Sequence, residues 1–169
     1  TSDAPLAAVA ARVRYALYDH EVRILEACTH NHRRQQLERT KLCLITDPGR
    51  DDDSSSMLKQ VETALKAGVT LVQYRRKHGD DCLRLQEAKQ LAELCRTHQS
   101  LFIVNDRIDL ALLVDADGVH LGQDDLPHAE ARELLGCDKL IGRSTHRLEH
   151  LTKAQDEGAD YLGVGPVYA

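Results

Sequence analysis

Short apolar runs alternate with longer stretches of helical periodicity over most of the chain. The runs are KLCLIT (41–46), TLVQYR (70–75), LFIVN (101–105), GVHLG (118–122), KLIGRST (139–145) and YLGVGPV (161–167). A continuous apolar run bounded by turn residues is the pattern of a strand buried on both faces. The intervening stretches carry helix start and stop signals. SSMLKQVETALKAG (55–68) opens on serine caps and closes on Gly68, and DCLRLQEAKQLAELCRTH (81–98) starts from Asp80 or Asp81. PHAEARELLG (127–136) has proline in its first turn and glycine at its end, and LEHLTKAQDEG (148–158) also stops at a glycine. Repeated βα units demand a parallel sheet, because each crossover helix returns the chain to begin the next strand in the same direction.

Residues 1–40 have a different texture. They are rich in Ala, Leu, Arg and Glu, with Val13, Leu17, Ile24 and Leu25 at near-helical spacing, and read as one or two helices. The chain therefore divides into a helical extension (1–40) and an α/β unit (41–169). A doubly wound sheet would place a G-x-G-x-x-G fingerprint after its first strand, but TDPGRDDDSSS follows here. Polar residues close nearly every run instead: Asp47, then Gln73, Arg75 and Lys77, then Asn105 and Asp106, then Gln123 and Asp125, then Ser144. Chemistry at the C-terminal ends of many strands is the mark of a (β/α)8 TIM barrel. Six units are visible, so the barrel is incomplete in this sequence, and the expectation is that two C-terminal βα units are missing and that residues 1–169 are inactive by themselves.

Composition narrows the function classes. With 42% apolar residues and a net charge of -5, the 169 residues suit a globular protein, expected in the cytoplasm. No apolar run approaches the ~20 residues of a membrane span, and a basic stripe or stacking platform for nucleic acid is missing. Five cysteines are scattered without a C-x-x-C pair and read as idle thiols. His30 and His32, two apart, do not share a helical face as metal ligands would.

The polar strand ends define the candidate chemistry. If LFIVN and GVHLG are neighbouring parallel strands, Asp106 and Asp125 emerge side by side and repel each other. A hard divalent cation relieves such a pair, and Mg2+ habitually takes one or two carboxylates together with waters and phosphate oxygens. In VQYRRK, alternation puts Gln73, Arg75 and Lys77 on one face, where Arg offers a planar fork and Lys a point charge to phosphate oxygens. Acids, metal and cations together describe a diphosphate site. Each member also has a plainer reading. Asp106 alone could be a solvated rim residue, Asn105 could shape a turn, Asp124 could cap the helix after it, Ser144 and Thr145 could form an N-cap, and His120 could simply pack in the core.

VQYRRK, IVNDRIDLALLVDADGVHLGQDDLP, LIGRSTH and GADYLGVGPVYA, in this order and spacing, closely resemble the thiamine-phosphate synthase (thiamine-phosphate pyrophosphorylase) family. The resemblance covers roughly 41–169, and the helical extension is similar to that of cyanobacterial-type members. It implies a (β/α)8 barrel transferase of thiamine biosynthesis, dependent on Mg2+. The reaction joins 4-amino-2-methyl-5-hydroxymethylpyrimidine diphosphate to 4-methyl-5-(2-phosphoethyl)thiazole, giving thiamine phosphate and pyrophosphate.

Carried over by position, the segment Gln73, Tyr74, Arg75, Arg76 and Lys77 would line the pyrimidine-diphosphate site with Asn105. Arg75, Lys77 and Ser144 would act on the diphosphate, and Asp106 and Asp125 would hold Mg2+. The motifs that hold the thiazole phosphate are expected beyond Ala169. Two departures stand out. The family pattern Q-L-R-E-K becomes Gln73-Tyr74-Arg75-Arg76-Lys77, with residue 76 alternating away from the diphosphate face, and Arg143 replaces a common apolar residue. Partners are then small-molecule substrates, with self-association left open. The alternatives are a metal-independent thiazole phosphate isomerase-like barrel and a non-catalytic ligand-binding barrel.

Overall fold

Six parallel strands pair in strict chain order: β1 (Cys43–Ile45), β2 (Leu71–Tyr74), β3 (Leu101–Asn105), β4 (Gly118–Leu121), β5 (Leu140–Thr145) and β6 (Tyr161–Val164). The computed structural model describes residues 4–46 and 53–166, so Asp47 and Val167 fall outside the described residues. The intervening helices are α2 (Ser54–Lys66), α3 (Asp81–Thr97), α4 (Ile108–Leu113), α5 (His128–Leu135) and α6 (Leu148–Asp156). A doubly wound sheet reverses its strand order at a switch point, whereas this order never reverses. The sheet is therefore wound in one sense, as the wall of a barrel is, and all C-terminal strand ends lie along one rim.

Alternation along the strands separates two cores. Leu44, Val72, Tyr74, Phe102, Val104, Val119, Leu121 and Ile141 face the helices and pack with Met57, Val61, Leu91 and their neighbours. Leu71, Leu101, Ile103 and Leu140 form a second cluster on the concave face. Each fully buried aliphatic side chain, such as Leu91 or Ile103, contributes about 1.5–3 kcal/mol of burial.

The extension is one helix, α1 (Ala4–Arg39), rather than two. Its C-terminal third lies across the N-terminal ends of the strands. Leu37 packs on the concave cluster, and Arg33 donates to Asp117 at 2.9 Å and to Asp138 at 2.8 Å. His30 Nε2 lies 2.8 Å from Asp160 Oδ1 and its Nδ1 lies 2.6 Å from the Cys137 carbonyl. The partners precede β4, β5 and β6, so α1 is fastened to the rim opposite the polar strand ends.

Several end signals differ from expectation. Asp53, not a serine, caps α2 by accepting from the Ser55 N–H, because it sits one residue before the first helical turn. Asp80 caps α3 as expected, accepting from the Leu83 N–H. Asp124 does not cap α5, whose N-cap is Pro127 without a side-chain bond. Ser144 and Thr145 belong to β5 and cap nothing, since α6 begins only after Arg147. The short α4 follows β3 where the pattern had marked no helix.

Candidate active site

The β3 end turns sharply to aim an acid. The Arg107 N–H donates to the Asn105 carbonyl at 2.7 Å, and Asp106 adopts φ +61°, a left-handed conformation that Asp tolerates better than most residues. Its N–H is still fixed in the ladder, donating to the His120 carbonyl at 2.9 Å. On the next strand, Asp125 Oδ2 accepts from the Gly122 N–H at 2.6 Å, which folds the β4 loop back over the rim. The Asp125 carboxyl lies close enough to that of Asp106 to act on its protonation. Partial burial and Asp125 push the Asp106 carboxyl up to about 6, against the pull of the Arg75 charge.

A cleft of about 310 Å³ beside this pair is lined by Arg75, Arg76, Lys77, Arg84, Asn105, Asp106 and Arg107. The Gln73 amide donates to Asn105 Oδ1 at 2.7 Å, locking the two amides into one unit on the concave face. The buried Thr46 holds the backbone of Arg75, accepting from its N–H at 2.9 Å. Gln73, Arg75, Lys77, Asn105, Asp106 and Asp125 thus converge on one stretch of rim.

Tyr74 and Arg76 do not join them through their functional groups. Both side chains turn to the helical layer, where Glu87 accepts from the Tyr74 hydroxyl at 2.6 Å and from Arg76 at 2.9 Å. Ser54 completes this cluster on Glu87. Arg76 thus meets a buried carboxylate on α3. Arg143 also faces the helices and donates to the Leu126 carbonyl at 3.3 Å, so its charge is buried behind β5 rather than in the mouth.

Ser144 lies further along the arc on β5, with Gln123 donating to its carbonyl. Its hydroxyl is 2.9 Å from His120 Nε2, and His120 Nδ1 is 3.2 Å from the Tyr161 hydroxyl. Burial and the Arg143 charge lower the His120 imidazole to about 4, so the ring is neutral at pH 7. His120 does pack in the core, yet its polar contact is to a candidate site residue. Arg84 and Arg107 were not anticipated at the cleft. Arg107 is held by Asp81 and Asp109, and Arg84 by Asp81, so the two arginines share an acid at the cleft edge. No sequence signal marked them beyond the place of Arg107 two residues after β3 and of Arg84 in the first turn of α3.

Asp106 and Asp125 could hold a divalent cation. Among the described residues no group of three or more Cys, His, Asp and Glu side chains gathers for a metal, and the acids the site offers are the Asp106 and Asp125 carboxylates. That suits Mg2+, which completes its shell with water and phosphate oxygens, and does not suit a structural zinc site.

Fold and site together define a six-stranded arc of a βα barrel with an acid pair and a basic cleft at the C-terminal rim of its strands. The chain belongs to the thiamine monophosphate synthase family, whose pattern matches residues 42–169. It is 71% identical over 167 residues to thiamine-phosphate synthase of Synechococcus sp. (strain WH7803), covering 99% of this chain and 47% of that protein. The corresponding protein of Nostoc sp. (strain PCC 7120) is 52% identical over 157 residues, covering 93% of this chain and 42% of that protein. The solved thiamine phosphate pyrophosphorylase from Pyrococcus furiosus superposes with a TM-score of 0.71 at 39% identity, over 80% of this chain and 63% of that one. The chain spans about half the length of the curated relatives it matches. Among the described residues no helix is long and apolar enough to cross a membrane.

Proposed function

We propose that the full protein containing this chain condenses 4-amino-2-methyl-5-hydroxymethylpyrimidine diphosphate with 4-methyl-5-(2-phosphoethyl)thiazole to give thiamine phosphate, and that this segment carries the pyrimidine-diphosphate half of the site. The observation that carries the reading is the approach of the Asp106 carboxyl to Asp125 at a rim that also holds Arg75 and Lys77. An acid pair beside two or more cations suits a metal-bound diphosphate and has no use in a metal-independent isomerase.

Arg75 and Lys77 bind the diphosphate oxygens, the first through a planar fork and the second as a point charge. Gln73 and Asn105, tied to each other, present amide groups to the aminopyrimidine. Ser144 donates to the leaving group. Mg2+ held by Asp106 and Asp125 would neutralise charge on the diphosphate as it departs. The aminopyrimidine pushes electron density toward its exocyclic CH2, so the C–O bond to the diphosphate breaks heterolytically. The thiazole nitrogen then donates its lone pair to the resulting cation, forming the C–N bond and releasing pyrophosphate. No protein nucleophile is needed; the side chains position two substrates and stabilise a leaving anion.

The test is Asp106→Ala in the full protein, assayed for thiamine phosphate and titrated calorimetrically with the pyrimidine diphosphate with and without Mg2+. Turnover should fall about 100-fold or more, and Mg2+ should no longer strengthen binding. Normal Mg2+-dependent turnover of the variant would refute the assignment.

A further inference from the structure

We infer that Tyr161 is a positioning residue which, through His120, turns the Ser144 hydroxyl proton outward as a donor for an anionic leaving group. The inference rests on the function proposed above for Ser144 and extends it to two residues with no assigned part.

The contact exists only because side chains are missing elsewhere. Gly142 lies between His120 and Tyr161 in the ladder, paired with both. A Cβ at Gly142 would fall 2.1 Å from Tyr161 Cζ, so the phenol occupies the space a side chain would take and reaches across β5 to the imidazole. A Cβ at Gly163 would fall 3.1 Å from His120 Cε1, so this second glycine makes room for the ring at the other side. The two rings stand with centroids 5.4 Å apart.

Hydrogen-bond chemistry sets the direction of the chain. A neutral imidazole carries one ring proton, so one nitrogen donates and the other accepts. A phenol is a stronger acid than an alkanol and the better donor, whereas the alkanol oxygen is the better acceptor. Among the described residues, His120 Nδ1 is the partner of the Tyr161 hydroxyl, 3.2 Å away. Tyr161 O–H therefore donates to Nδ1, the ring proton resides on Nε2, and Nε2–H donates to Ser144 Oγ over 2.9 Å, an ordinary length for N–H···O. With one lone pair of Oγ engaged, the Ser144 proton is released from the imidazole and points to the mouth. The reverse order would direct that proton into the ring and leave the serine as an acceptor, which repels an anion.

The measurement is long-range 1H–15N correlation of ring nitrogens in the histidine-labelled full protein at pH 7.5, with His120 assigned by substitution. The expected result is protonated Nε2 and bare Nδ1. Tyr161→Phe, which keeps the ring, should lose this tautomer bias. It should lower kcat on the order of tenfold, with KM for the pyrimidine diphosphate changed less than twofold. In a Ser144→Ala background it should have no further effect. Gly142→Ala, which displaces the phenol, should lose the same bias. A protonated Nδ1 in the parent protein, or kcat losses that multiply in the double variant, would overturn the inference. If the full protein makes no thiamine phosphate, the functional reading fails separately, and the tautomer still decides the direction of the chain.

Discussion

At the residue scale, Asp106 makes stability depend on pH in an unusual direction. Burial and Asp125 raise its carboxyl from 3.8 to about 6. The folded protein then holds a proton more tightly than the unfolded chain between those values, so stability falls as pH rises through that window and levels off above about 6. His120, lowered to about 4, contributes an opposite rise through the same window, so the decline should appear as the difference in thermal unfolding without metal between the parent and Asp106→Asn. Millimolar Mg2+ should raise the melting temperature above pH 6 and have little effect at pH 4.5, because the cation and the proton compete for one pair of carboxylates. Asp125→Asn should shrink that difference but not abolish it, because burial is the larger cause of the Asp106 shift. A melting temperature indifferent to Mg2+ at pH 7.5 would count against the pair as a metal site. The acids, Gln73, Arg75, Lys77 and Asn105 were legible because alternation and strand order place them without knowledge of rotamers. His120 was not, since its value lies in a neighbour two strands away that the letters do not connect to it.

At the element scale, the β2–α3 contact is held by charge. Glu87 is buried and accepts from Arg76, Tyr74 and Ser54. Removing one partner of a buried pair leaves the other charge poorly solvated, so Glu87→Ala should cost about 3 kcal/mol in urea unfolding. It should also loosen Arg75 and Lys77, which flank Arg76. A loss under 1 kcal/mol would show that the Arg76 charge is held by something other than Glu87. The helices themselves were readable from periodicity, whereas their caps were read less well. Pro127 begins α5 without a side-chain cap, and Ser144 extends β5 by ladder pairing with Gly163, a tertiary constraint that overrides the local N-cap preference. The six-residue α4 was invisible because it is too short to show a period.

At the scale of the whole molecule, sequential strand order gathers residues 73 to 144 on one rim, and α1 fastens to the other. Arg33, with its side chain 11% exposed, bridges Asp117 and Asp138. Arg33→Ala should release α1, seen as faster proteolytic cleavage within 4–39, while pyrimidine-diphosphate binding stays within about twofold because the mouth lies at the far strand ends. A binding loss as large as that of Asp106→Ala would show that the extension shapes the mouth. The barrel class was legible from polar strand ends and the single helix nearly so, but the docking of α1 was not, because ion pairs more than eighty residues apart leave no local pattern. The geometry has a practical side. Much of the outer half of α1 is solvent-exposed, from Val9 through Leu25, and it sits at the pole away from the acids. Immobilising the protein on a solid support through that half would leave the mouth facing the bulk liquid, so a surface-tethered preparation should meet its substrates as freely as the dissolved one.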